Sequence, residues 1–377
     1  MQIAGGLAFF KNKKSEIRNP EIRNQTIVFY IAAMNQLLKI LFLLFMFKVG
    51  IACGKDIPKV VKPNEFSVLD EYARKTPQQY EVGLTTLASY LIKPAKTDLE
   101  KARVLFTWVA THVRYDDAAY NSGNYPDYTA EFVLKNKRAV CEGYSNVLMA
   151  LCDEAGLECN KIIGYAKGYG YAVGSHFTET DHAWNVIKID GKWKLFDVTW
   201  ASGSGTNKGG KLVSTKKFDP FWFDVNPHAF VFTHFPEKPS WQLTGKLVSQ
   251  IQFERMPWLS NEFFSLGFNA DSVYHDAVDL KKTMFVEAFG SAFPIDCSKI
   301  PYGKNLTVGE EITFEIKSDY ADQIALIDGK TWYYFEKNNN VFTLKHKPMG
   351  KKFELVQKIN RKDPDFITLV RYRTDKS

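Results

Sequence analysis

The chain has 377 residues, 45% of them hydrophobic, with 49 Lys/Arg against 42 Asp/Glu and five cysteines. This is an ordinary globular composition, long enough for two domains. Residues 1–64 hold ten Lys/Arg and three Asp/Glu, so the whole formal charge of +7 lies in the leader. The balanced remainder excludes nucleic-acid binding driven by net charge, and five cysteines in this length exclude a disulfide framework.

The leader reads as an export signal. Met34 to Lys39 makes a short positive segment, Ile40 to Phe47 an apolar one, and Gly50-Ile51-Ala52 a small-x-small cleavage site before Cys53. Met34 is the expected start, with residues 1–33 an upstream extension. Cys53 is a candidate lipidated cysteine, although Gly50 stands where such signals usually carry Leu. The competing reading is one membrane anchor over Ile27 to Ala52. Either way the protein is expected outside the cytoplasm, periplasmic, in the cell envelope or secreted, with membrane attachment through Cys53 or the leader. Gly54 to Pro63 is a Lys/Pro tether. The expected segments are thus 1–53 (leader), 54–64 (tether), 65–257 (first domain) and 258–377 (β-rich region).

Phe66 to Arg74 and Leu84 to Ile92 read as short helices. Thr97-Asp98-Leu99-Glu100 is a capping box opening a longer helix through Val113, whose buried stripe is Ala102, Leu105, Phe106, Val109 and Val113. Asn121 to Tyr128 is a turn-rich loop. Cys141 to Ala155 reads as a helix with Val147, Leu148, Leu151 and Ala155 on one stripe and Gly156 as its stop. Cys141 falls in its first turn, with Lys137 and Arg138 just upstream. A helix N-terminus and nearby cations both favour a thiolate.

Asp190-Gly191 lies between two alternating runs and is a strong signal for a two-residue hairpin turn. If it closes the hairpin, Ile189 faces Lys192 and Trp184 faces Asp197. With a side-chain period of two, His182, Trp184 and Asp197 share a face, and His182 and Asp197 are diagonal neighbours. A thiol, an imidazole and a carboxylate then fit a nucleophilic triad. Singly, each of the three reads as a structural residue. Together, in order and with the hairpin between them, they point to chemistry.

Cys141, Cys152 and Cys159 lack metal-ligand spacing, and Cys141 and Cys152 would stand about 16 Å apart on a helix, so no metal and no cofactor is expected. Cys152 reads as core, able at most to pair with Cys159. Tyr165 to Gly174 suits a mobile cleft wall, and Ser202 to Gly210 is a Gly/Ser loop with no expected role. Beyond Trp258, short alternating runs (Ile312–Ile316, Ile324–Ile327, Thr331–Phe335, Val341–Leu344, Phe366–Tyr372) predict an immunoglobulin-like β-sandwich. Residues 258–300 fit a strand-rich bridge or a first small sandwich.

The strings KARVLFTWVATHVRYD (101–116), AVCEGYSNVLMALCDEAGLECNKIIGYAKGYGY (139–171), HAWNVIKIDGKWKLFDVTWASG (182–203) and HFPEKPSWQL (234–243) resemble the transglutaminase-like superfamily, in its kyphoscoliosis-peptidase-like branch, over residues 65 to 256. The resemblance implies an α+β fold with a papain-like core. It makes Cys141 the nucleophile, His182 the general base and Asp197 the orienting carboxylate. Tyr115 and the Cys141 backbone N–H are candidate oxyanion donors, and Tyr144, Trp184 and Trp200 candidate cleft residues. The expected function is metal-free acyl transfer on protein or peptide amides, with hydrolysis ahead of cross-linking because no calcium-loop motif is present. The alternative is a binding or scaffold protein that keeps the fold without turnover. A cell-envelope enzyme acting on peptidoglycan stem peptides is a third reading.

Overall fold

Thr97 starts the central helix, Asp98–His112, as a capping box: the Glu100 N–H donates to Thr97 Oγ1 (3.2 Å) and the Thr97 N–H to Glu100 Oε2 (3.1 Å). The computed structural model describes residues 65–375 except 282, 283, 361 and 363. The expected signal segment, Cys53 and the 54–64 tether lie outside the described residues. Among the described residues no helix is long and apolar enough to cross a membrane. All five residues of the expected stripe are buried, and so are the polar Arg103 and Thr107. Both reach Asp70 on the helix Ser67–Arg74, through Arg103 Nε and Nη2 (2.7 and 2.8 Å) and Thr107 Oγ1 (2.8 Å). A bidentate, fully bonded ion pair lets this helix be buried all round, which an apolar stripe alone does not reveal.

The helix Cys141–Glu154 lies beside it and buries Tyr144, Val147, Leu148 and Leu151 in the same core. Two short strands, β1 (Arg114–Tyr115) and β2 (Arg138–Ala139), run parallel and bring residue 115 level with Ala139, just before the helix begins. A Cβ at Gly143 would stand 2.7 Å from Ala139 Cβ and 2.8 Å from Tyr128 Cβ, so only glycine lets the first turn seat there.

On the other side of that helix are β3 (Cys159–Ala166), β4 (His182–Ile189) and β5 (Lys192–Phe196), followed in sequence by the hairpin β6 (Gly203–Lys208)/β7 (Lys211–Lys216) and by β8 (His234–Pro236). The main sheet is antiparallel in the order β5-β4-β3-β8. Its β4–β5 turn has positive φ at both Asp190 (49°) and Gly191 (75°), as a two-residue turn with the twist of the flanking strands requires. Ile189 pairs with Lys192, and the ladder continues to Asn185 opposite Phe196. The expected register holds.

Four helices follow the core: Pro227–Phe230, Gln250–Arg255, Asn261–Ser265 and Ala270–Val278. The first part of 258–300 is therefore helical and not strand-rich. Asn269 caps Ser272 N (2.8 Å), and Val273, Tyr274 and Ala277 bury one helical stripe. That spacing was readable, but the short helices are hidden among Phe residues that suit a strand equally well.

After them come β9 (Glu287–Ala288), β10 (Asp296–Lys299), β11 (Asn305–Thr307), β12 (Ile312–Lys317), β13 (Gln323–Asp328), β14 (Thr331–Tyr334), β15 (Glu336–Asn338), β16 (Val341–His346), β17 (Lys352–Lys358) and β18 (Ile367–Asp375). They form two sheets, β10-β12-β16-β15 and β11-β18-β17-β13-β14, with β9 also on β18. All pairs are antiparallel except β11 with β18. Phe314, Ile316 and Phe342 of one sheet share a core with Leu326, Leu355 and Tyr372 of the other, and the Phe314 and Tyr372 rings meet at 6.0 Å. The molecule is thus an α+β core followed by an all-β sandwich.

Candidate active site

The hairpin delivers His182 to Asp197. His182 opens β4, Asp197 ends β5 as the N-cap of the helix Val198–Ser202, and His182 Nε2 lies 2.7 Å from Asp197 Oδ2. The other carboxylate oxygen accepts the Trp200 N–H (2.9 Å). Asp197 is fully buried and His182 nearly so. With Nε2 engaged, Nδ1 is the imidazole nitrogen left for a nucleophile, and the Cys141 thiol is a neighbour that helps to raise the His182 imidazole.

Burial works against a charged His182. The Asp197 carboxylate and the neighbouring Cys141 outweigh it and raise the imidazole to about 10. Burial would also push the Asp197 carboxyl up, and the two imidazoles on it hold it well below the usual range. The pair is therefore an imidazolium on a carboxylate at neutral pH.

Sequence reasoning missed the second imidazole. His234, at the start of β8, places Nε2 3.0 Å from Asp197 Oδ2, while its Nδ1 meets Thr233 Oγ1 at 2.8 Å. It is fully buried and stacks on Phe230 with ring centres 4.0 Å apart. Burial lowers its pKa to about 4, so it stays neutral and donates to the carboxylate. The string HFPEKPSWQL begins at this residue, and a histidine opening a string of the resemblance was the available signal. His182, Asp197 and His234 place one ligand atom each within 4.8 Å of one another. Direct hydrogen bonds join the carboxylate to both rings, which suits a proton network.

The aromatic candidates divide. Trp200 is half-buried, with its ring centre 5.7 Å from His182 and 4.4 Å from His234. Trp184 is buried and lies 6.1 Å from His182 and 5.3 Å from His234, as a floor beneath the imidazoles. Tyr144 is a correction: it is fully buried, its hydroxyl donates to Val113 O (2.7 Å), and it supports the helix from inside the core. Tyr115 stands near Cys141, and burial together with the thiol raises its hydroxyl far above the ordinary value. It is a neutral O–H donor there. Val140 provides no side-chain cap to the Cys141 helix, so first-turn N–H groups are not taken by one.

Two cations expected to act on Cys141 have other partners. Lys137 pairs with Glu81 (3.2 Å) and Arg138 with Asp116 (3.4 Å). Cys152 is buried beside Cys159, and both are free thiols.

The surrounding loops have structural partners. The expected Gly/Ser loop is the β6–β7 hairpin, and it fixes the helix Asp117–Ser122: Asn121 bonds Leu212 O and N (2.9 and 2.8 Å), and Ser214 N donates to Asp117 Oδ2 (2.9 Å). The wall after β3 is pinned at its base. Lys167 is buried, with its N–H on Thr233 O (2.8 Å) and its Nζ on Met256 O (2.8 Å) and Phe253 O (2.5 Å).

A cysteine at a helix start facing a strand-borne His–Asp pair is the arrangement of papain-like cysteine enzymes. Residues 85–198 match the family model of the transglutaminase-like superfamily. Human kyphoscoliosis peptidase is 35% identical over 204 residues, 54% of this chain and 30% of that protein. Drosophila melanogaster hillarin is 28% identical over 223 residues, 56% of this chain and 27% of hillarin. The crystal structure of red sea bream transglutaminase aligns over 83% of this chain and 58% of that one, at 9% identity and a TM-score of 0.28. The chain spans under a third of the length of these two curated relatives. Residues 85–198 form a transglutaminase-like domain, and this part of the chain is similar to kyphoscoliosis peptidase.

Proposed function

We propose that the protein is a cysteine-triad enzyme that transfers acyl groups from protein or peptide amides. The observation that carries this is the 2.7 Å His182–Asp197 bond with the Cys141 thiol against the same imidazole. The thiolate attacks the amide carbonyl, and a tetrahedral oxyanion forms against first-turn N–H groups and Tyr115. His182 gives its proton to the leaving amine, and a thioester remains on Cys141. Water, deprotonated by His182, then releases the acid, or an amine releases a new amide. Hydrolysis is the favoured outcome, since nothing in the sequence forms a calcium loop that would gate a cross-linker. Export, with or without a lipid on Cys53, is proposed from the leader sequence alone.

The test is a peptide library incubated with the protein and a biotinylated primary amine. New N-termini that vanish in Cys141→Ser support hydrolysis, and biotin incorporation supports transamidation. Neither product, with wild type and Cys141→Ser alike, overturns the enzyme reading and favours a binding role for the same fold.

A further inference from the structure

Four tyrosines and one carboxylate outside the triad surround the approach to Cys141. The Tyr115 and Tyr120 rings lie 6.0 Å apart, and Tyr120 meets Tyr169 edge-on at 6.0 Å. Tyr120 and Tyr169 are each 38% exposed, and Tyr125 is 53% exposed. This is costly surface for large rings, and it is concentrated at one place. The rings come from separate elements, the helix Asp117–Ser122 and the wall after β3, which the β6–β7 hairpin and Lys167 hold in position. Gly205 of that hairpin lies beside Tyr169: a Cβ there would stand 2.4 Å from Leu212 Cδ1 and 3.8 Å from Tyr169 Cδ2.

Asp181 completes the group. It is exposed, and one carboxylate oxygen accepts the Ala166 N–H (2.8 Å) at the end of β3. No salt bridge to it is present among the described residues; burial pushes its carboxyl up, and the Ala166 N–H and the adjacent His182 work the other way. Burial first, and then the charges of Tyr125, Tyr169, Asp181 and Cys141, push the Tyr120 hydroxyl up, and its ring meets those of Tyr115 and Tyr169. The faces of aromatic rings attract cations, and a carboxylate without a salt-bridge partner adds to that attraction.

We infer that Tyr120, Tyr169 and Asp181 form a subsite beside Cys141 that takes a cationic side chain of the peptide acyl donor. This rests on the acyl-transfer reading of Cys141. The ammonium or guanidinium of a lysine or arginine next to the attacked carbonyl would lie over the exposed part of these rings with Asp181 as its counter-ion. An acidic side chain would meet Asp181 and the ring faces unfavourably, which makes the subsite selective as well as attractive.

The test compares N-acetyl-lysine and N-acetyl-norleucine chloromethyl ketones, which differ by one charge. In each, the Cys141 sulfur displaces chloride and forms a C–S bond, and modification of the Cys141 peptide is followed by mass spectrometry on the full chain. The readout is the lysine-to-norleucine rate ratio within each variant. Wild type should prefer lysine by about fivefold or more, the combined effect of an exposed charge pair and a cation on a ring. Asp181→Asn, which can still accept the Ala166 N–H, should reduce the ratio by about two- to fivefold. Tyr169→Ala should reduce it by a similar factor, and Tyr169→Phe, which keeps the ring face, should not. A wild-type ratio of one, or a ratio unmoved by both Asp181→Asn and Tyr169→Ala, overturns the subsite. Iodoacetamide separates this from failure of the enzyme reading: a Cys141 no faster than a free thiol refutes the activated nucleophile whatever the ratio.

Discussion

Among the described residues two buried aspartates, Asp197 and Asp328, hold buried histidines, and a cysteine stands near the first. In the sandwich His346 Nε2 lies 3.0 Å from Asp328 Oδ2, and both residues are buried. In the core His182 and Asp197 make the same bond at 2.7 Å. The difference lies in what surrounds each carboxylate. Asp328 also accepts the backbone N–H groups of Met349 and Gly350, both at 2.9 Å, and so ties the turn after β13 to the loop after β16. Asp197 accepts Trp200 N and a second imidazole, and its first imidazole faces a half-buried thiol. One pair holds two loops together, and the other holds a base in one orientation beside a reactive group. A His–Asp bond is therefore no evidence of catalysis until a third group and access are present.

Substitutions should separate the two pairs. The largest effect is expected from Cys141→Ser, which should abolish peptide turnover, roughly 10⁴-fold or more, while leaving thermal stability within about 1 kcal/mol. Turnover retained in this variant would break the comparison outright. Asp197→Asn should lower turnover by about 10⁴-fold, because an amide cannot stabilise the imidazolium or fix its tautomer. Asp328→Asn should leave turnover as it is and lower stability by about 1–3 kcal/mol, through weakened bonds to His346, Met349 and Gly350. Equal losses of turnover in the two Asp variants would mean that the core pair has no special role.

Two smaller effects sharpen it. His234→Gln should slow Cys141 alkylation by about tenfold, since the carboxylate loses one of the donors that fix it. An unchanged rate would make His234 a packing residue only. The same histidine gives a pH signature. Its folded pKa, about 4, lies below the ordinary 6.5, so the unfolded chain binds more protons between these values. Stability from this group is complete above pH 6.5 and is lost as the pH falls towards 4. His182 has the opposite sign: raised to about 10, it contributes fully below pH 6.5 and loses that contribution as the pH rises through 10. Denaturation midpoints across pH 4 to 10 should show the acid slope flattened in His234→Gln and the alkaline slope flattened in His182→Gln. Slopes identical to wild type in both variants would contradict the assigned charge states.

The His182–Asp197 bond was legible because its geometry is local. One turn, Asp190-Gly191, sets a register, and the register sets which side chains share a face. The Thr97 cap and the Cys141 helix were legible for the same reason. Contacts between distant segments were not. His234 reaches Asp197 across 37 residues, and Arg103 reaches Asp70 across 33, through chain crossings that no periodicity encodes. Tyr144 stands three residues from Cys141, on nearly the same helix face, yet its ring is fully buried and its hydroxyl reaches Val113 O, a contact between distant segments that spacing does not reveal. The Gly/Ser stretch at 202–210 has loop composition, and only its pairing with 211–216 makes it the hairpin that fixes Asn121. The short helices over 261–278 carry aromatic residues that suit strands as well, and packing on the sandwich decides between the two.

The most direct test of the central claim is the rate of iodoacetamide labelling at Cys141 as a function of pH, read by peptide mass spectrometry beside His182→Ala. Selective labelling of Cys141 near pH 6, slowed roughly 100-fold in His182→Ala, is the result expected of a thiolate held by an imidazolium. Labelling no faster than that of a free thiol, and indifferent to His182→Ala, would contradict it.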